Sequence, residues 1–361
     1  MPASTEPMAA TVAPGPSPLG RSVRIATAAT LCLLVSEALN LTYASMAVWT
    51  TFLVMVKYDY TVFQKGMERL LGRFLGIGLG WILFALFPDA WGIRRCFESL
   101  AVVGFFYFYF SGRLAYTALN AGILLISIIS IGDADPAMAY SAGFEMLPAL
   151  AVGIAAADLV MWLSSGEGDL SIQTGLEPLL PLRLDWLNHS AMLMVSAYVA
   201  LMTTSWVALP TPQAIISVFV IGIAPDIQQG LRKGELRLVG AILGLGWGLL
   251  TFVIVGHLPH LPVLLGMLFF GILLAGYLAR TSTTYGYAGL QMGLVLPMLI
   301  VASPGEFGDM DSVIARMEGV LAALGATLAV GAVWPPFYRT EAPAPASAPS
   351  PAPSLALPAQ R

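Results

Sequence analysis

The sequence has little charge. Asp, Glu, Lys and Arg make up only 11% of its 361 residues, whereas 57% are hydrophobic and the mean hydropathy is +0.79. Soluble domains carry about 25% charged residues. So little charge among so many apolar runs excludes an ordinary soluble domain, and it predicts an integral membrane protein surrounded by the lipid bilayer.

Cysteine and histidine are scarce as well. The two cysteines, Cys32 and Cys96, give no disulfide framework, and three scattered histidines predict no metal site. The sequence contains no Walker A loop, no dinucleotide fingerprint, no HExxH segment and no plausible Ser/His/Asp set. We therefore expect a protein that is not an enzyme and has no cofactor. No basic surface with interleaved aromatic residues indicates nucleic acid.

Apolar runs dominate the chain between two Pro-rich and Ala-rich ends. The ends, 1–20 and 337–361, lack an apolar core and predict disordered tails. A polar stretch at 166–185 predicts a cytoplasmic linker between two modules, 21–165 and 186–336. Twelve runs approach the ~20 residues that a spanning helix needs. They lie near 22–40, 42–57, 68–87, 97–112, 114–132, 143–163, 186–204, 210–225, 235–256, 261–279, 284–303 and 314–334.

One segment that joins basic residues to glycines occurs twice. The residues from Lys65 to Gly80 return as Lys233 to Gly248, with Lys, Arg, Leu and the glycines in register. Two further segments also match between the halves: Arg113–Gly122 aligns with Arg280–Gly289, and Gly153–Trp162 aligns with Gly325–Trp334. Each half has six runs, and an even number of spans returns the chain to the side of the membrane on which it started. Both copies therefore enter the membrane from the same side. We therefore predict an all-α membrane protein with about twelve transmembrane helices, arranged as two parallel six-helix repeats.

The distribution of charge predicts the orientation. With both termini in the cytoplasm, the predicted outer side carries only three basic residues, Arg94, Arg95 and Arg316. The remaining arginines and lysines fall on the inner side, as the positive-inside rule requires.

The glycines of the repeated segment predict a packing face. Helical spacing of three and four residues puts Arg69, Gly72, Gly76 and Gly80 on one side of a helix. Arg237, Gly240, Gly244 and Gly248 are spaced in the same way. Such glycines allow the backbone of another helix to approach closely. Gly78 and Gly246 point elsewhere.

The basic residues of the segment predict a substrate-binding site at the cytoplasmic side. Arg69 and Arg237 lie beside the glycine face, where a guanidinium can offer two donors to a carboxylate. Glu68 is an alternative partner that would make Arg69 structural. For Lys65 and Lys233 the favoured interpretation is a topology anchor that extends to the interface, although both remain candidates. Arg73 aligns with Ala241, so we expect it to be less essential for the predicted substrate site.

Several uncharged polar residues and one acid fall within predicted spans. Tyr116, Asn120, Tyr287 and Gln291 could line a polar path, or could form hydrogen bonds between helices. Asp158 could carry a proton for coupled transport, or could be an interfacial aspartate near the cytoplasmic end. Burying a charge in a bilayer is costly, so a deep charge such as that of Arg69 or Arg237 usually has a partner.

At the segment from Arg69 to Gly80 and its copy, the sequence resembles the fusaric acid resistance protein-like family of aromatic acid exporters. Arg316, Gly325 and Trp334-Pro335 resemble the end of each six-span module in that family. Many members carry a Thr after the motif glycine, where this chain has Arg73 and Ala241, and many carry large cytoplasmic domains that are absent here.

The resemblance implies a bacterial inner-membrane efflux transporter of small organic anions, especially aromatic acids or related toxic compounds. Such exporters often act with a periplasmic membrane fusion protein and an outer-membrane channel. A homo-oligomer is also possible. Without an ATP site, an ion gradient would drive export. The alternatives are a major-facilitator-type transporter, an anion channel and a non-transporting membrane scaffold subunit.

Overall fold

The computed structural model describes residues 17–56, 62–112, 114–165, 183–206, 211–224, 227–301 and 310–334. These residues form twelve α-helices and, within those ranges, no strand. The helices are α1 (Pro18–Ala38), α2 (Ala44–Val56), α3 (Val62–Leu86), α4 (Trp91–Phe110), α5 (Ala115–Ala134), α6 (Pro136–Ser165), α7 (Leu184–Trp206), α8 (Thr211–Gly222), α9 (Ile227–His257), α10 (Leu261–Thr281), α11 (Gly286–Ile300) and α12 (Met310–Val333).

Each predicted apolar run corresponds to one helix, so the all-helical prediction is confirmed. The first tail was predicted to extend to residue 20, but α1 begins at Pro18. There the Ser17 hydroxyl accepts a hydrogen bond from the Gly20 N–H at 3.1 Å, and a proline suits the first helical turn. The rest of that tail, the predicted tail at 337–361 and most of the predicted linker lie outside the described residues.

Six helices, α1, α3, α5, α6, α9 and α10, are long and apolar enough to cross a membrane. By contrast, α2 has 13 residues and α8 has 12. At 1.5 Å per residue they extend only about 20 Å and 18 Å. Both hold the second position of their half, and nine residues of α2 are buried. Both halves therefore have a short helix at the corresponding position.

The packing of the helices recurs six helices along the chain. α3 packs on α5 as α9 packs on α11, and α2 packs on α6 as α8 packs on α12. The halves meet through five helix pairs, α1 with α10, α4 with α7, α2 with α11, α5 with α8 and α2 with α10. The two large apolar clusters each contain side chains from both halves, as shown by Phe106 stacked on Phe219 with ring centroids 4.4 Å apart. The halves therefore share their core.

Glycines bring α3 against α5. A Cβ atom at Gly76 would lie 2.6 Å from the Ala121 carbonyl oxygen, and one at Gly80 would lie 2.7 Å from Ile128 Cγ2. The crossing of α9 with α11 has the same character, and the residues on its α9 side are Gly240, Gly244 and Gly248. A Cβ at Gly78 or Gly246 would meet nothing within 4 Å. α3 and α9 thus each have one row of glycines packed against a neighbouring helix and one further glycine that contacts no other helix.

The crossings correct the alignment of α5 with α11. Gly72 lies against Asn120 and Gly240 lies against Gln291, so these two side chains are equivalent in space. The sequence match paired Asn120 with Tyr287, one helical turn away. That match rested on a shared Ala-Gly pair, whereas the residue that faces each glycine fixes the register.

A buried group of ion pairs joins α4 to α5. Asp133 pairs with Arg94 at 2.6 Å and also with Arg95, which in turn pairs with the fully buried Glu98 at 2.9 Å. Tyr198 of α7 donates to the Arg95 carbonyl at 3.0 Å, which connects this group to the second half. Two of the three basic residues predicted on the outer side are therefore neutralised by carboxylates.

We expect Gly76→Ala to destabilise the protein, because its methyl group would meet the α5 backbone. Gly78→Ala is the matched control, since it adds the same methyl group to the same helix in open space and gains helix propensity of about 1 kcal/mol. Thermal unfolding of detergent-purified protein should show a loss of several degrees for Gly76→Ala and none for Gly78→Ala. Equal midpoints would contradict the close crossing.

We expect Asp133→Asn to destabilise the protein by about 3–5 kcal/mol, because it leaves two buried guanidinium groups short of negative charge. Asp135→Asn is the control. Asp135 is exposed and accepts the Ala137 N–H at 2.9 Å, a bond that asparagine can retain. The same thermal assay measures both variants. An Asp133→Asn midpoint equal to the control would show that the ion pairs add nothing.

Candidate anion-binding site

Three cations lie on one side of α3. Lys65, Arg69 and Arg73 are spaced by four residues, and their exposed fractions are only 7%, 6% and 8%. The Lys65 ammonium lies 5.9 Å from the centre of the Tyr116 ring, within the range of a cation–π contact. Lys65 is therefore buried against α5, and its role as a topology anchor stays a prediction.

Arg69 is held at the crossing of α3 and α5. Its Nη1 donates to the Tyr116 hydroxyl at 2.9 Å and to Asn120 Oδ1 at 3.2 Å. Asn120 Nδ2 donates to the Tyr116 carbonyl at 2.7 Å, which turns Oδ1 toward the arginine. Nε of Arg69 is buried without a hydrogen-bond partner among the described residues. The three predicted residues therefore come together, and the guanidinium keeps donor capacity.

Glu68 does not neutralise Arg69. Its Oε1 accepts a hydrogen bond from Gln64 Nε2 at 3.1 Å, one turn back on the same helix. No carboxylate in the described part of the chain forms an ion pair with Arg69. This separates Arg69 from Arg95, which is equally buried but lies between two acids.

Arg73 belongs to the same group of cations, although the sequence analysis set it aside. Its Nη1 lies 2.9 Å from the sulfur of Met46 on α2. A thioether is a weak acceptor, so this contact compensates little for burying the charge. The signal that could have found it is the spacing of four residues from Lys65 and Arg69.

The second half places equivalent residues at the crossing of α9 and α11. Arg237 is 2% exposed, and its Nε has no hydrogen-bond partner among the described residues. Gln291 is 2% exposed beside Gly240, and the buried Tyr287 hydroxyl has no partner within the same part of the chain. Lys233 is partly buried. No ion pair joins Arg237 to a described carboxylate.

Asp158 stands apart from the cations. It is half-buried on α6, one turn beyond Ile154, which packs against Gly66. It forms no hydrogen bond or ion pair with a described residue. The described ranges also contain no group of three or more His, Cys, Asp or Glu side chains that could hold a metal ion. The site consists of cations, hydroxyl groups and amides, which suits an anion.

Comparison with known proteins identifies one family. Residues 31–160, which run from α1 through α6 and include Arg69, Arg73, Tyr116 and Asn120, match the family described as fusaric acid resistance protein-like. No curated protein and no solved structure matches the chain. The match and the apolar helices indicate a multi-pass membrane protein. The resemblance predicted from the segment Arg69 to Gly80 is thus confirmed, and over residues 31–160 the chain matches the fusaric acid resistance protein-like family.

Proposed function

We propose that this protein is a bacterial inner-membrane exporter of small organic anions, with aromatic acids as the leading class. The observation that carries the proposal is the presence of a buried arginine in each half, Arg69 and Arg237, with no carboxylate partner in the described part of the chain. A charge inside a bilayer costs at least about 2.5–3.5 kcal/mol. An anionic substrate would supply the missing negative charge.

The position of the short helices supports a site in the middle of the protein. Transporters built from repeats bind substrate where corresponding helices of the two halves are short or broken. α2 and α8 are the corresponding short helices here. Arg73 contacts α2 directly through Met46. The cations of α3 therefore line the region where a repeat transporter would bind its substrate.

We propose the predicted topology for this function, with twelve spans in two parallel halves and both termini in the cytoplasm. The recurrence of packing six helices along the chain supports two equivalent halves. The basic ends of α3 and α9 then face the cytoplasm, which favours capture of an anion inside the cell. Export would use the proton motive force, and by resemblance to the family the partners are a periplasmic membrane fusion protein and an outer-membrane channel.

An anion channel is the second candidate, and one observation favours it. Asp158, the proposed proton carrier, makes no contact with the cations of α3 in the described structure. A path lined by cations without a coupled carboxylate would pass anions down their gradient. The two candidates differ in whether a proton uncoupler changes export.

We expect Arg69→Ala and Arg237→Ala to lower export of a labelled aromatic acid by about 10–100-fold, because a hydrogen bond to a charged group contributes about 1.5–3 kcal/mol. The assay is efflux from cells that contain equal amounts of inserted protein. Arg232→Ala is the matched control, because Arg232 is exposed on α9 and pairs with Glu235 at 2.6 Å. Export that survives both alanine variants would refute the site.

We expect Asp158→Asn to abolish uncoupler-sensitive export against a gradient while leaving exchange down a gradient intact, because asparagine cannot carry the proton. Glu145→Gln is the control, since Glu145 is an exposed carboxylate on the same helix. Efflux is measured with and without a proton uncoupler. Wild-type export that ignores the uncoupler would favour the channel, and coupled export by Asp158→Asn would remove Asp158 from the mechanism.

A further inference from the structure

Arg73 lies in the middle of α3. It follows Val62, the first residue of α3, by eleven positions, which places it about 17 Å along the 25-residue helix. This is the middle of a helix that is long and apolar enough to span a membrane. Burying an arginine within such a helix is costly, and ionisable residues within spans face the protein interior and often mark a substrate or ion path.

The neighbour of Arg73 makes its burial more costly. Arg69 lies one turn away on the same helix, and its positive charge acts on Arg73. Like charges four residues apart on a helix repel each other. Neither arginine forms an ion pair with a carboxylate in the described part of the chain. Two negative charges, also about one helical turn apart, would neutralise both buried guanidinium groups.

The two arginines contact different helices. Arg69 contacts Tyr116 and Asn120 on α5, whereas Arg73 contacts Met46 on α2. Both of these helices pack against α3, but α2 and α5 do not pack against each other. An anion bound between the two guanidinium groups would therefore have α2 beside Arg73, and the Tyr116 hydroxyl and the Asn120 amide of α5 beside Arg69.

The second half differs at this point. The residue that follows Arg237 by one turn is Ala241, which is 1% exposed and has no charge to offer. At equivalent positions the first half thus presents two arginines and the second half presents one. The halves are unequal in the charge that they can bind.

We propose that Arg69 and Arg73 form a two-point site in the first half for an anion with two negative groups about one helical turn apart, such as an aromatic dicarboxylate. Arg73 is the specificity-determining residue, because it supplies the second point. This inference rests on the proposed function of organic anion export, and it defines which anions bind best. A monocarboxylate needs only Arg69 and its partners on α5.

The test measures binding of two probes, benzoate and isophthalate, to the full-length protein in lipid nanodiscs by titration calorimetry. The probes share a benzene ring and differ by one carboxylate. We expect wild type to bind isophthalate at least about tenfold more tightly than benzoate, since a second charged contact adds that much. Arg73→Gln should remove this preference, because it should weaken isophthalate binding about tenfold more than it weakens benzoate binding.

Three further variants keep the result interpretable. Arg69→Gln should weaken both probes, and the control Arg232→Gln should change neither. Arg73→Lys retains the charge without the planar pair of donors, so it should retain part of the preference for isophthalate. Because the readout is the ratio of two affinities in one protein sample, a loss of folded protein alone would not change it.

The outcomes separate this inference from the proposed function. If wild type binds benzoate but binds isophthalate no better, the two-point site is overturned and organic anion binding stands. If Arg73→Gln weakens both probes equally, or weakens neither, Arg73 does not determine specificity and the inference is overturned. If wild type binds neither probe, both proposals fail together.

Discussion

The close approach of α3 to α5 determines the rest of the site. A glycine face without Cβ atoms lets the α5 backbone lie against α3, as the contact of Gly76 with the Ala121 carbonyl shows. Arg69 can reach Tyr116 and Asn120 only because the two helices are this close. Arg73, one turn further along α3, contacts Met46 of α2 instead. Packing and electrostatics thus depend on the same glycines.

The sequence predicts the helices well, because each long apolar run has one stable solution in a bilayer, a helix with its own hydrogen bonds satisfied. The repeat also identifies Arg69 and Arg237. It misses Arg73 for a physical reason. Comparing the halves finds the residues that they share, whereas Arg73 aligns with Ala241, which has no charge. It likewise misses the partners of Asp133, because Arg94 and Arg95 lie in another helix and only packing brings them near.

The halves are similar in packing and different in polarity. In the 168-residue register, Val263 and Gly266 replace Arg95 and Glu98, so the ion pairs of α4 and α5 have no copy. Ile154 lies against Gly66 as Leu324 lies against Gly234, so α6 and α12 pack in the same register although the polar residues differ. Because the core clusters also contain side chains from both halves, the two halves fold as one unit.

The shortness of α2 and α8 bears on the electric field across the membrane. If α2 and α8 cross the bilayer, as the proposed topology has them, their ends would lie below its surface, because a helix of about 20 Å is shorter than the ~30 Å hydrocarbon core. Water that reached those ends would bring the bulk potential closer to the centre, and the voltage would fall over a shorter distance than in the surrounding lipid. Since one elementary charge across 100 mV corresponds to about 2.3 kcal/mol, movement of the proposed doubly charged anion past Arg73 would then respond strongly to membrane potential.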